Sequence, residues 1–170
     1  MNLLQLAPLW LVALLAALLI AAAVEDVRRL RISNLTVAAV IATAIAASVL
    51  AGPALALWQN LVVFALILAG GTLLFATGKV GGGDVKLFAG VGLWTDLQQA
   101  LWLVAAVFVA GGLLAIVMIA SRMMGLRSGP ASKGGIPYAV AIAAGALLVI
   151  AWQRQAPVRP PANPLEFPAR

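Results

Sequence analysis

Uncharged, largely apolar residues fill positions 1 to 24, 35 to 78, 97 to 121 and 134 to 153, and a run of roughly 18 or more such residues is long enough to cross a bilayer as a helix. The first run predicts one helix over Leu3 to Val24. Ala21-Ala22-Ala23 looks like a signal cleavage site. No Lys or Arg precedes the run, however, and its length exceeds the usual signal core of about 7 to 15 residues, so an uncleaved anchor is expected. The second run holds 44 residues, too many for one span, and is interrupted near Gly52-Pro53 and again at Gln59-Asn60. It reads as two helices joined by a tight turn. Leu101 to Ala120 predicts a further span, and Ile136 to Trp152 the last, opened by Pro137 at a first helical position. Trp58, Trp94, Trp102 and Trp152 fall near segment ends, where an interfacial belt is expected.

The segment Val85 to Trp94 is different. Its ten residues include Lys86, and at about 1.5 Å per residue they cover only about half of a core near 30 Å thick. The pattern predicts either an extension past Asp96 or a half-helix opened by the glycines before it. Irregular backbone at membrane depth survives only beside protein or a water-filled cavity. The expectation is an all-α polytopic membrane protein of about six transmembrane helices, one of them short or broken.

Composition excludes a water-soluble globule: of 170 residues, 64% are hydrophobic and 9% charged, against about 25% charged in ordinary soluble domains. Histidine and cysteine are absent. That removes disulfides, thiolate or imidazole metal sites, Cys or His nucleophiles and the Ser-His-Asp triad. No metal or other cofactor is expected. Five acids remain, Glu25, Asp26, Asp84, Asp96 and Glu166. The net charge of +6 comes from Lys and Arg scattered between apolar runs, which argues for membrane orientation and against nucleic acid. With six spans, Arg28, Arg29, Arg31, Lys79, Lys86, Arg122, Arg127 and Lys133 share one side, and Arg154, Arg159 and Arg170 the other. This asymmetry predicts both termini outside the cytoplasm. Residues 153–170 carry five of the nine prolines and little periodicity. They read as a disordered extracytoplasmic tail following a membrane-embedded unit over 1–152.

Two acids carry the candidate chemistry. Asp26 and Asp84 both fall at the cytoplasmic ends of apolar segments, and a charged side chain toward the bilayer centre costs about 2.5 to 3.5 kcal/mol. Each has a bland reading: Asp26 can offset the neighbouring Arg cluster at the water interface, and Asp84 can cap a helix after a flexible Gly81-Gly82-Gly83 loop. Together, two membrane-embedded carboxylates from different helices are what an aspartyl protease needs. One, ionised, takes a proton from water; the other, protonated, polarises the scissile carbonyl. Such a pair shares one proton. In that setting the glycines are expected to give bare, unwound backbone, with Gly83 free to adopt positive φ, against which an extended peptide can lie.

These residues resemble the type IV prepilin peptidases, relatives of the archaeal preflagellin peptidases among the intramembrane proteases with a Gly-x-Gly-Asp signature. Gly81, Gly83 and Asp84 match the signature, Val85-Lys86-Leu87 extends it, and Asp26 matches the first family Asp. Basic residues and Ile-Pro-Asn usually follow that Asp; here Arg28, Arg29, Arg31, Ile32, Ser33 and Asn34 follow, with Ser33 in place of Pro. Ile136-Pro137-Tyr138-Ala139 and Gly145 look like the family's last helix. The resemblance implies Asp26 and Asp84 as catalytic residues and Gly81, Gly83, Lys86 and Asn34 as substrate-binding or loop-shaping ones. The cysteine-bearing cytoplasmic region of larger members is missing from this sequence. It looks like the short, peptidase-only form of tight-adherence (Flp-type) pilus systems. The implied reaction is removal of a basic prepilin leader after a glycine, on the cytoplasmic side of a bacterial inner membrane, with the prepilin and membrane lipid as partners and no nucleic acid. Glu25 reads either as a solvated interface residue or as an aid to leader binding. A small ion- or proton-coupled transporter, which also places Asp in a membrane beside a broken helix, and a non-enzymatic pilus or secretion assembly subunit remain as alternatives.

Overall fold

A computed structural model describes residues 1–52, 56–78, 80–124 and 137–155. Lys79, Arg127, Lys133, Glu166 and the Pro-rich stretch from 156 onward lie outside these residues. Among the described residues the chain forms α1 (Leu3–Leu6), α2 (Leu9–Arg29), α3 (Asn34–Ala51), α4 (Leu57–Ala76), α5 (Gly82–Gly92), α6 (Leu97–Met123) and α7 (Tyr138–Gln155). Five of them, α2, α3, α4, α6 and α7, are long and apolar enough to cross a membrane. The protein is an all-α, multi-pass membrane protein, and α5 is its short helix.

Four boundaries differ from the sequence pattern. The single helix expected over Leu3 to Val24 is divided at Ala7-Pro8, because the proline ring bars an α conformation at Ala7, which is extended. Its second part runs on to Arg29, so Asp26 is inside α2 rather than beyond it. The interruption expected at Gln59-Asn60 does not occur. There α4 continues, and the amide of buried Asn60 donates to the carbonyls of Met1 and Leu93 at 2.8 and 2.9 Å. At the other end of the chain, α7 takes in Gln153, Arg154 and Gln155, the first residues assigned to the tail.

The core lies around α7. Its buried positions Ala139, Ile142, Ala143, Ala146, Val149 and Gln153 recur at helical spacing and face α2, α5 and α6. In α2 the buried stripe is Leu11, Leu15, Leu19, Ala22 and Asp26. The acid therefore continues an apolar face. In contrast, α4 and α6 turn leucines outward, among them Leu66, Leu73 and Leu113, as a lipid-facing surface allows. Small residues let helices approach: a Cβ added at Gly145 would stand 2.7 Å from the backbone N and Cα of Val107.

Antiparallel connection puts Trp10, Trp58, Trp102 and Trp152 at one end of the bundle, all more than half exposed. Trp102 and Trp152 meet edge to face at 5.4 Å. Trp94, expected in the same belt, is fully buried instead. The short α5 ends inside the bundle, and α1 folds over it, Leu3 donating its N–H to the Trp94 carbonyl at 3.0 Å. The same end is fastened by polar contacts between Gln153 and Gln99, from Gln5 to the Gln153 carbonyl, and from Arg154 to the Ala7 carbonyl at 2.7 Å.

Candidate active site

At the opposite end, the last turn of α2 and the first turns of α5 and α7 come together. Asp26 is 5% exposed and Asp84 9%, an unusual depth for carboxylates with no ion pair among the described residues. Asp26 accepts the backbone N–H of Ala139 at 2.9 Å through Oδ2. That N–H belongs to the free donors of the α7 N-terminus, so the carboxylate both satisfies it and meets the positive end of the helix dipole. Asp84 stands close enough to feel the charge of Asp26. The structure thus brings together two acids that lie 58 residues apart in the chain.

The setting of Asp84 differs from the unwound loop expected of the glycines. Gly82 and Gly83 already belong to α5, Gly81 is the extended residue that caps it, and Asp84 sits in the first turn. Gly83 has no positive φ; among the described glycines only Gly52 and Gly78 do. What the glycines supply is space. A Cβ on Gly81 would stand 2.7 Å from Asp84 Oδ2, and one on Gly83 3.2 Å from the Ile32 Cβ, whereas at Gly82 the nearest atom is a Phe75 ring carbon at 3.5 Å. The Gly-x-Gly-Asp spacing follows: the first glycine makes room for the carboxylate, the third for the α2–α3 loop, and the middle position is not crowded. Asp84 turns one oxygen back toward the Gly81 N–H, as a third helical residue does in a capping box. Its Oδ1 is buried and has no hydrogen-bond partner among the described residues.

A cleft of about 330 Å³ opens beside Asp84 between α4, α5, α6 and α7. Gly71, Val85, Phe88, Phe108, Tyr138 and Ile142 line it, so the wall is largely apolar beside the acid. Among the described residues no group of three or more acidic side chains could hold a metal ion.

The other proposed residues frame the two acids. Lys86 Nζ donates to Asn34 Oδ1 at 3.5 Å, a weak tie between α5 and the start of α3. Ser33 caps α3, its hydroxyl accepting the Thr36 N–H at 3.0 Å. It also donates its own N–H to Glu25 Oε2 at 2.9 Å, a bond that proline at this position could not make. Thr36 donates to Glu25 Oε1 at 3.0 Å. Glu25 is therefore bonded to the loop. Two contributions were missed in the sequence, the Glu25 bonds and the Ala139 N–H; the adjacency of Glu25 to Asp26 was the available signal for the first. Asp96 stands apart: it accepts the Gln99 N–H at 2.9 Å and caps α6 at the tryptophan-rich end.

No curated protein and no solved structure matches this sequence. Residues 13–116, which contain both Asp26 and Asp84, match the type IV leader peptidase family. A match over more than half of the chain identifies the protein as a member of the type IV leader peptidase family.

Proposed function

We propose that the protein is an intramembrane aspartic endopeptidase in which Asp26 and Asp84 form the catalytic pair, and that it removes the basic leader of Flp-like prepilins at the cytoplasmic face of a bacterial inner membrane. The observation that carries this reading is the meeting of two buried carboxylates from α2 and α5 at one end of the bundle. No His or Cys is present to supply another nucleophile or base. The pair holds one proton between its two members. The ionised member removes a proton from a water molecule, and that water attacks the scissile carbonyl. The protonated member donates to the carbonyl oxygen and stabilises the charge that develops there. Asp26 is held by the backbone N–H of Ala139 at the start of α7 and Asp84 is fixed in the first turn of α5, so their geometry is set before substrate arrives. The basic residues around this end, Arg28, Arg29, Arg31 and Lys86, support its placement on the cytoplasmic side.

Membership of a leader peptidase family favours this reading over a transporter or an assembly subunit. The test is co-expression with an Flp-like prepilin while the gel mobility of the prepilin is followed. The wild type and Asp96→Ala should convert it to the shorter form, and Asp84→Ala should leave it full length at normal enzyme abundance. Continued conversion by Asp84→Ala overturns the proposal.

A further inference from the structure

We infer that Glu25 is a positioning residue that sets the distance between the two aspartates by fastening the α2–α3 loop. The inference rests on the peptidase reading above. Glu25 precedes Asp26 on α2, and its two carboxylate oxygens take separate bonds, Oε2 from the Ser33 N–H at 2.9 Å and Oε1 from the Thr36 hydroxyl at 3.0 Å. Ser33 and Thr36 are joined as well, hydroxyl to hydroxyl at 2.8 Å. This fixes Ile32, the residue before Ser33. Ile32 in turn bears on Gly83, its Cβ lying 3.2 Å from where a Gly83 Cβ would stand, and Gly83 precedes Asp84 on α5. Hydrogen bonds from Ser33 and Thr36 to Glu25, and then the close approach of Ile32 to the backbone at Gly83, thus connect the neighbour of one acid to the neighbour of the other.

A role in binding a basic leader would need a free carboxylate. Both oxygens are engaged, one by Ser33 of the loop and one by Thr36 in the first turn of α3, and Arg29 and Arg31 line the same recess as Glu25, which makes it a poor seat for a cation. The bonds require acceptor and donor geometry rather than charge. Glutamine can meet it, its oxygen accepting from the Ser33 N–H and its amide donating to the Thr36 hydroxyl.

The experiment compares steady-state cleavage by the full-length protein in detergent, using a purified Flp-like prepilin, for Glu25→Ala, Glu25→Gln, Thr36→Val and the pair Glu25→Ala with Thr36→Val. Asp84→Asn is run alongside. Glu25→Ala should lower kcat about tenfold and change KM less than about threefold, since catalytic geometry is lost and substrate contacts are not. Glu25→Gln should stay within about threefold of wild type, and the double variant should be no worse than the poorer single one, as expected for two ends of one contact. Equal impairment by Gln and Ala, or losses that multiply in the double variant, would overturn the positioning role. Should Glu25→Ala accumulate poorly, Glu25→Gln against Thr36→Val still decides, because only the second breaks the contact. Cleavage by Asp84→Asn would instead defeat the peptidase reading, and the inference would fall with it.

Discussion

The Asp26 carboxylate accepts the backbone N–H of Ala139 at 2.9 Å across 113 residues of sequence, so the acid at the end of α2 also secures the beginning of α7. This gives Asp26 a structural duty beside its proposed chemical one. Among the described residues Asp84 carries no comparable contact to another helix, since its Oδ1 has no partner there and its other oxygen turns back to Gly81 within its own helix turn.

The two duties of Asp26 separate by substitution. Asp26→Asn keeps an oxygen to accept the Ala139 N–H and should leave thermal stability in detergent near that of wild type, while prepilin cleavage is lost. Asp26→Ala leaves a buried N–H without a partner and should cost about 1 to 3 kcal/mol in addition. A lower Tm for Asp26→Ala than for Asp26→Asn, with both inactive, is the expected result. Adding Asp84→Asn to Asp26→Asn should reduce cleavage no further, because the pair acts as a unit.

Close approach of α6 and α7 makes Gly145 a second sensitive position. A methyl group there meets the Val107 backbone at 2.7 Å, and backbone in the middle of a packed helix cannot swing aside as a side chain can. Gly145→Ala should destabilise by about 1 to 3 kcal/mol. Gly112→Ala, on the partner helix with nothing within 4 Å of the added carbon, should be neutral or slightly stabilising, as alanine is the better helix former. Unfolding of the two variants in detergent measures the contrast.

Much of this arrangement was legible in the residues. Length and charge gaps located the spans, and the absence of His and Cys left few acids to consider. The spacing of Leu15, Leu19, Ala22 and Asp26 even carries the information that the acid faces inward. The Pro8 break was equally available. What the sequence withheld were contacts made by backbone or by shape. Three consecutive glycines argue for an unwound loop by propensity, yet α5 begins among them because close packing rewards their lack of side chains. Gly71 against Val85 and Gly92 against Ile67 are crowded in the same way. Local preference lost to tertiary packing. Trp94 misled for a related reason, since its place near a segment end says nothing of whether that end reaches the interface.

Exposed Leu30 and Gln98 lie at opposite ends of the bundle, Leu30 just after α2 and Gln98 at the start of α6. The basic residues beside the first and the tryptophans near the second predict opposite sides of the membrane. The chain has no native cysteine, so single cysteines at these positions report without background. A membrane-impermeant thiol reagent applied to intact cells, after the outer membrane is made permeable, should label position 98 and reach position 30 only after lysis. The reverse pattern would place the two aspartates on the extracytoplasmic side.

The three glycines before Asp84 make different demands, and the contrast among them tests the geometry of the site. Gly81→Ala puts a carbon 2.7 Å from Asp84 Oδ2. The carboxylate must move, and a displacement approaching 1 Å at a catalytic group can cost about 100-fold in rate. Gly83→Val presses on Ile32, whose Cβ already stands 3.2 Å from the first added carbon, and the branched side chain drives the α2–α3 loop from α5. Cleavage should collapse in both variants. Gly82→Ala meets only the Phe75 ring at ordinary contact distance, 3.5 Å, and alanine suits the helix better, so cleavage should stay within about twofold of wild type. If the stretch served only as a flexible tether, all three changes would be mild and alike. Prepilin conversion normalised to enzyme abundance distinguishes the two patterns, and a Gly81→Ala enzyme as active as Gly82→Ala would show that Asp84 Oδ2 need not occupy the space beside Gly81.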